Sequence, residues 1–186
     1  PILFASEENG VYPHATLTFT PPTYSIGGVT CGGEAFVTDG TMLYIANANG
    51  TGSIESWKLS TSPQTILTGL TNISCVRVDM DSRKIFWSQT ELTVGNPSGT
   101  SISWSDMDGS NVETIVYLST YDSIRSFDLD RVNKKIYLVA DRNWDGGSNL
   151  IYHVMRCDYD GGNLQDIHNG TNTFLRSPTG LTVDAS

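Results

Sequence analysis

Basic residues are scarce in this chain of 186 residues, which carries 11 Lys and Arg against 20 Asp and Glu, for a net charge of −9. Nucleic acids and anionic membrane surfaces are bound through basic patches, so neither is an expected partner. No apolar run approaches the roughly 18–20 residues that a membrane-spanning helix needs, so we expect no membrane insertion. Helical periodicity is almost absent, whereas 18 Gly and abundant Ser and Thr favour an all-β domain with many turns.

Motifs for catalysis are also missing. The sequence contains no G-x-S-x-G, no phosphate-cradling glycine loop and no H-E-x-x-H. His14, His153 and His168 are far apart in sequence, and none belongs to a recognised nucleophile or metal motif. We therefore predict that the chain is not an enzyme.

What the sequence does contain is a unit that recurs about every 45–55 residues. Its clearest copies are residues 75–116 and 124–167. Between them, Asp79 and Asp81 match Asp128 and Asp130, Lys84-Ile85-Phe86 matches Lys135-Ile136-Tyr137, and Asp108-Gly109 matches Asp160-Gly161. Short apolar strands joined by Asp, Gly and Asn turns at this period are typical of the blades of a β-propeller.

A third copy of the unit is weaker, and a fourth is split between the two ends of the chain. The weaker copy spans residues 36–66, with Asp39 at the position of Asp81 and Asp130. Residues 2–5 fit only the second strand of a blade, and residues 180–184 fit only the first. We therefore predict one propeller domain of four repeats, at about 2–25 plus 180–186, 33–68, 75–118 and 125–168.

The split repeat leaves two alternatives open. A blade that lacks a strand exposes unpaired backbone groups, so residues 180–186 must complete it either within the same chain or in a neighbouring molecule. Leu181 and Val183 point to the same face of such a strand, so they are its candidate anchors.

These repeats resemble the class B (YWTD) repeats of the low-density lipoprotein receptor family. The resemblance is carried by Val78-Asp79, by KIFWS at 84–88, by the DMDGSN turn at 106–111 and by the corresponding Asp128, KIY at 135–137 and DYDGGN at 158–163. The tetrad itself departs from the family, reading FWSQ at 86–89, YLVA at 137–140 and YIAN at 44–47. The resemblance implies an extracellular propeller that recognises a protein or glycan ligand. Family members usually have six blades and an adjoining epidermal-growth-factor-like module, and neither fits this length.

The three cysteines make an odd count. Cys31 and Cys75 each precede the first strand of successive repeats, so they form either a disulfide or two buried thiols. Cys157 is then left as a small buried hydrophobe or as an intermolecular partner. No C-x-x-C occurs, so a cysteine zinc site is not expected.

Three N-x-S/T sequons begin at Asn49, Asn72 and Asn169. All three fall in predicted turns, from which a glycan could project. The chain begins at Pro1 with neither an initiator Met nor a signal peptide, so we expect a processed product or a defined fragment.

The sharpest local motif is the loop at residues 141–149, which reads DRNWDGGSN. Asp141, Asn143 and Asp145 present alternate oxygen side chains before a glycine turn, and Asn149 follows it. Ca²⁺ takes about six to eight oxygen ligands, so this order of residues predicts a calcium site. The pattern looks similar to the calcium loops of integrin α-subunit propellers, with Asn149 in place of the last Asp. The alternative is an ordinary polar hairpin loop.

Two classes of function remain open for a non-catalytic extracellular propeller. One is a structural subunit that self-assembles, which is favoured by the split repeat and by Cys157, the third cysteine that a Cys31–Cys75 disulfide would leave over. The other is a recognition module that binds a protein or glycan ligand on one face of the ring, as the receptor resemblance implies.

Overall fold

A computed structural model describes residues 15–18, 23–26, 36–38, 42–47, 52–58, 64–90, 99–119, 122–142, 151–169 and 180–184. In these ranges no helix is long and apolar enough to cross a lipid bilayer. The strands in chain order are β1 Ala15–Thr18, β2 Thr23–Ile26, β3 Phe36–Thr38, β4 Met42–Asn47, β5 Gly52–Lys58, β6 Gln64–Leu70, β7 Ile73–Asp79, β8 Lys84–Thr90, β9 Thr100–Asp106, β10 Glu113–Leu118, β11 Asp122–Asp130, β12 Lys135–Arg142, β13 Ile151–Asp158 and β14 Gln165–Asn169.

Each of the three unsplit repeats forms one four-stranded antiparallel sheet. The first sheet contains β3–β6, the second β7–β10 and the third β11–β14, and in each of them every strand pairs with the next one along the chain. Strands β1 and β2 pair as a separate hairpin. This meander within each repeat confirms the all-β prediction.

The second sheet is buried on both of its faces. The alternation of Ile102 and Trp104 with Ser103 and Ser105 is typical of a strand with one face packed on a neighbouring sheet. In the structure Ile102 packs toward the third sheet, and Ser103 and Ser105 are also buried, at 2% and 0% exposure. The sheet lies between two others, and the small serine side chains allow the close approach of the first sheet.

Two apolar clusters fill the spaces between the three sheets. Trp87 and Ile85 belong to the cluster between the first and second sheets, whereas Phe86 belongs to the cluster between the second and third sheets. Consecutive side chains of a strand point to opposite faces, so the single strand β8 supplies both cores. Phe127 and Leu138 are the buried counterparts on the third sheet, each at 0% exposure.

The strand register corrects the predicted equivalence of the aspartates. Asp79 lies opposite Lys84, and Asp130 lies opposite Lys135, so Asp79 corresponds to Asp130 rather than to Asp128. Counting back two residues makes Arg77 the counterpart of Asp128. The sequence match was wrong by two residues because it paired aspartates by residue type alone. The pairing of the first and second strands gives the true register.

Asp79 and Asp130 hold the turn between the first and second strands of their sheets in the same way. Asp79 Oδ1 accepts hydrogen bonds from the backbone N–H groups of Asp81 and Ser82, at 3.0 and 3.1 Å. Asp130 Oδ1 accepts the corresponding bonds from Val132 and Asn133, at 3.1 and 2.8 Å. These carboxylates are therefore structural parts of the turns.

The turns at 106–111 and 158–163 also share one geometry, and each packs on the preceding sheet. Gly109 has φ +84° and Gly161 has φ +79°, a conformation that favours glycine. A Cβ at Gly109 would overlap the carbonyl oxygen of Ile66, and a Cβ at Gly161 would overlap that of Ile115. The Asp-Gly pair that recurs in the sequence thus lets the turn between the third and fourth strands of one sheet pack against the fourth strand of the sheet before it.

Candidate assembly site

The C-terminal segment, residues 180–184, lies beside the inner strand β11 of the third sheet. The backbone N–H of Val183 donates to Asp128 Oδ2 at 2.8 Å, and Thr182 Oγ1 donates to the same oxygen at 3.2 Å. Leu181 and Val183 are half-buried, whereas Thr182 and Asp184 are exposed. The side chains alternate as predicted, although the structure assigns no strand to residues 180–184. The predicted partner, residues 2–5, lies outside the described residues.

Residues 180–184 read GLTVD, which aligns with SFDLD at 126–130 and CVRVD at 75–79. Thr182 therefore takes the place of Asp128 and Arg77 in the two preceding units. Arg77 Nε donates to Asp128 Oδ1 at 2.9 Å, and Thr182 and Val183 bond to the other oxygen of Asp128. Three equivalent positions thus form one continuous polar row, which ends at the C-terminal segment.

The Arg77–Asp128 ion pair is largely shielded from solvent, with side-chain exposures of 12% and 15%. Arg77 Nη1 also donates to the carbonyl oxygen of Val76 at 2.9 Å. Hydrogen bonds to an ionised carboxylate are stronger than those between neutral groups. The Asp128 carboxylate therefore joins the second sheet, the third sheet and the C-terminal segment.

A second ion pair joins the second and third sheets at the end where the turns lie. Lys134 Nζ donates to Asp79 Oδ2 at 2.8 Å, and Asp79 is fully buried. Burial raises the pKa of the Asp79 carboxyl, but hydrogen bonds from Lys134 and Ser82 outweigh it and lower that pKa from 3.8 to about 2. Burial, together with the nearby Asp79 carboxylate, raises the pKa of Tyr159 above its usual value. Asp79 is thus held ionised between two sheets.

The predicted calcium loop is described only at its beginning. Asp141 is 2% exposed near the end of β12, and its carboxylate is already bonded. Its Oδ1 accepts from the Ser123 backbone N–H at 2.9 Å, and its Oδ2 accepts from Arg125 Nε at 2.7 Å. Asn143, Asp145 and Asn149 lie outside the described residues. Within the described ranges no group of three or more His, Cys, Asp or Glu could hold a metal ion, and the calcium site stays a prediction.

The two cysteines that the structure describes are both buried. Cys75 Sγ lies 3.5 Å from the carbonyl oxygen of Phe127, and Cys31 lies outside the described residues, so the predicted disulfide between Cys31 and Cys75 stays a prediction. Cys157 is 1% exposed, and burial raises its pKa to about 12. A buried, protonated thiol does not reach a neighbouring molecule, which favours the interpretation of Cys157 as a small core residue.

Among the predicted glycosylation sites, Asn72 is the one whose side chain the structure describes. It is exposed in the short connection between β6 and β7, with φ +43°. Asn169 is the last residue of β14, and Asn49 lies outside the described residues. Exposure at Asn72 is what attachment of a glycan requires.

The histidines do not come together in one site among the residues described. His153 Nδ1 lies 3.1 Å from Asp166 Oδ1, and His168 is exposed on the next strand. His14 lies outside the described ranges.

The sequence interpretation missed the polar row and Lys134. Aligning the repeats so that their first strands end at Asp79, Asp130 and Asp184 would have brought Arg77, Asp128 and Thr182 to the same position.

No protein-family model matches this chain, and no curated protein matches it. Among solved structures it is similar to a putative TolB from Agrobacterium tumefaciens, at 19% identity and a TM-score of 0.55, over 79% of this chain and 52% of that one. It is also similar to a variant of the isopeptidase AtxE2 with Astexin3-dC4 bound, at 7% identity and a TM-score of 0.55, over 74% of this chain and 21% of that one.

The chain therefore spans about half the length of the first of these proteins and about a fifth of the second. Identities this low support the fold alone, and one of the two neighbours is an enzyme. The all-β sheets and the TolB-like neighbour together support a β-propeller fold.

Proposed function

We propose that this protein is a non-catalytic, extracellular interaction and assembly module in which residues 180–184 begin a fourth blade. The observation that carries the proposal is the docking of Val183 and Thr182 on Asp128, with Leu181 and Val183 half-buried. The class B (YWTD) resemblance of the repeats and the exposed sequon at Asn72 support an extracellular setting.

As the first strand of a fourth blade, the docked segment would need a second strand beside it. Main-chain hydrogen bonds between paired strands supply affinity, and alternate side chains set the register. A strand from the N-terminal residues of the same chain would close a four-bladed ring. The same strand from a neighbouring molecule would link subunits into a structural assembly, and we propose this second arrangement as the function.

The test replaces both half-buried anchors by lysine, in the double variant Leu181→Lys/Val183→Lys. Each lysine would place an unpaired charge in an apolar groove, so the variant should remain folded but lose association in sedimentation velocity. Val112→Lys/Val132→Lys is the matched control, because these side chains are 57% and 71% exposed. The control should associate like the wild type.

The outcomes separate the two arrangements. Folded monomers that form only after the anchor exchange support assembly between molecules. A wild type that is already monomeric at high concentration contradicts it, and unfolding of the anchor variant would then show closure within one chain. Deletion of residues 180–186 should likewise abolish association without unfolding the protein under assembly between molecules, and should unfold the protein under closure within one chain.

A second candidate function is recognition of a protein or glycan ligand by one end of the sheets. The turns between first and second strands and between third and fourth strands lie at the same end of a meander. Met80, Val132, Val112 and Leu164 belong to these turns and are 44%, 71%, 57% and 40% exposed. Exposed apolar side chains grouped at one end are typical of binding surfaces. Binding of labelled protein to a glycan array, lost in Val112→Asp/Val132→Asp, would favour this alternative.

A further inference from the structure

Three buried polar atoms of the second sheet have no hydrogen-bond partner among the described residues. They are the indole Nε1 of Trp87, the amide Oε1 of Gln89 and the hydroxyl Oγ of Ser101. Trp87 is 1% exposed and Ser101 is 0% exposed. Buried polar groups in folded proteins are almost always paired with protein or with ordered water, so three orphans in one sheet call for an explanation.

The register of the sheet places these three atoms on one face. Gln89 and Ser101 lie directly opposite each other on β8 and β9, so their side chains are neighbours. Trp87 precedes Gln89 by two residues and therefore shares its face. Trp87 packs in the apolar cluster between the first and second sheets, so all three side chains face the first sheet.

Two other pairs of polar side chains in this sheet are hydrogen-bonded to each other. Ser103 Oγ, opposite Trp87, lies 2.9 Å from Thr114 Oγ1, and on another part of the sheet Ser74 Oγ lies 2.8 Å from Ser88 Oγ. The orphans are thus confined to one point of the interface. The first sheet contributes the short side chain of Ala46 to the apolar cluster that contains Trp87.

We propose that Trp87, Gln89 and Ser101 form an internal water-binding site between the first and second sheets. The indole N–H only donates, the amide oxygen only accepts, and the hydroxyl does both. A cation would meet the indole proton, and an anion would meet the amide oxygen. Water is small and neutral, and it can both donate and accept, so it satisfies all three groups.

The experiment is water–protein cross-relaxation by NMR on folded protein with ¹⁵N-labelled tryptophan. Trp87→Phe assigns the Trp87 indole signal by its loss. We expect a cross-peak between the Trp87 indole proton and water, with the sign of a long-lived bound molecule. The cross-peak should persist in Ser101→Ala, where no hydroxyl proton can relay it, and should vanish in Gln89→Leu.

Thermal unfolding gives an independent reading that does not depend on assignment. Ser101→Ala removes one partner of the bound water and should lower the Tm by about 2–5 °C, whereas at a dry site removal of an unpaired hydroxyl raises the Tm. Ser103→Ala is the matched control and should lower the Tm in either case, because Ser103 has a protein partner. A missing cross-peak in the wild type, its loss in Ser101→Ala, or a higher Tm for Ser101→Ala would each overturn the proposal.

Discussion

Arg77 Nε donates to Asp128 Oδ1 at 2.9 Å, and the two residues occupy equivalent positions in consecutive sheets. One position of the repeat thus carries a cation in one blade and its counter-ion in the next. Asp128 also accepts the backbone N–H of Val183 on its other oxygen. The repeat is therefore not a set of interchangeable copies, because this position carries complementary charges in consecutive sheets.

The first prediction concerns this carboxylate. Asp128→Ala removes both links and takes the carboxylate away from the largely buried guanidinium of Arg77, so it should lower the free energy of unfolding by about 2–4 kcal/mol. Urea unfolding followed by fluorescence measures this change. Asp81→Ala is the control, because Asp81 is exposed, and it should change stability by less than about 0.5 kcal/mol. Equal effects of the two substitutions would contradict a linking role for Asp128.

The second prediction concerns the seating of one sheet on another through a glycine turn. Gly161→Ala combines an unfavourable positive φ with an overlap against the Ile115 carbonyl, and should destabilise the protein by about 3–5 kcal/mol. Gly69→Ala is the matched control, since Gly69 has a similar φ of +77° but nothing within 4 Å of its Cβ position. The control should cost only about 1–2 kcal/mol from the backbone. If both variants unfold at the same urea concentration, the close contact between Gly161 and the Ile115 carbonyl does not contribute to stability.

The third prediction is a dependence of stability on acid pH. The Asp79 carboxyl has a pKa of about 2 in the folded protein against 3.8 in an unfolded chain, and this difference corresponds to roughly 2 kcal/mol. Because the folded pKa is the lower one, this stabilisation is fully present above pH 3.8 and is lost as the pH falls through about 2.

Unfolding of wild type and Asp79→Asn across pH 2–6 isolates this contribution, since other carboxylates titrate in both proteins. The stability difference between the two proteins should shrink by roughly 2 kcal/mol as the pH falls from 5 to 2. Asp81→Asn serves as the control, and its free energy of unfolding should change with pH in the same way as that of the wild type. A difference that stays constant with pH would show that the Lys134 interaction does not hold Asp79 ionised.

The fourth prediction tests the calcium loop at residues 141–149. If the loop binds Ca²⁺, a chelator should lower the Tm, and a free ion concentration a hundredfold above the Kd should stabilise the protein by about 2.7 kcal/mol. Asp145→Ala should remove the sensitivity to chelator. Asp141→Ala should lower the Tm even in chelator, because Asp141 also holds Arg125 and Ser123. Identical melting in chelator and in millimolar calcium would eliminate the site.

The fifth prediction counts thiols. Cys157 is buried with a pKa of about 12, so it should react with a thiol reagent only after unfolding. Under denaturing, non-reducing conditions a Cys31–Cys75 disulfide leaves one reactive thiol, whereas its absence leaves three. Cys157→Ala should abolish the remaining thiol in the first case. Fast labelling of Cys157 in the native protein would contradict its burial.

Much of the local architecture could be predicted from the sequence. The boundaries of β8, β9 and β10 follow from alternating side chains between Asp-Gly and Asp-Ser turns, and these patterns depend on residues a few positions apart. The recurrence of Gly109 at Gly161 also indicated a shared turn geometry, since few residues other than glycine accept that backbone conformation. The alternation of Leu181 and Val183 is likewise a local pattern, which the order of the residues shows directly.

Which of these elements touch could not be predicted in the same way. That Asp79 corresponds to Asp130, that Arg77 meets Asp128, and that Cys157 is enclosed all depend on strand register and on the packing of sheets from residues about fifty positions apart. A shift of two residues leaves the alternation of faces unchanged, so the pattern of side chains does not specify the register. The repeat and its strands are therefore encoded locally, whereas the polar row that holds the repeats together arises only when the sheets pack against one another.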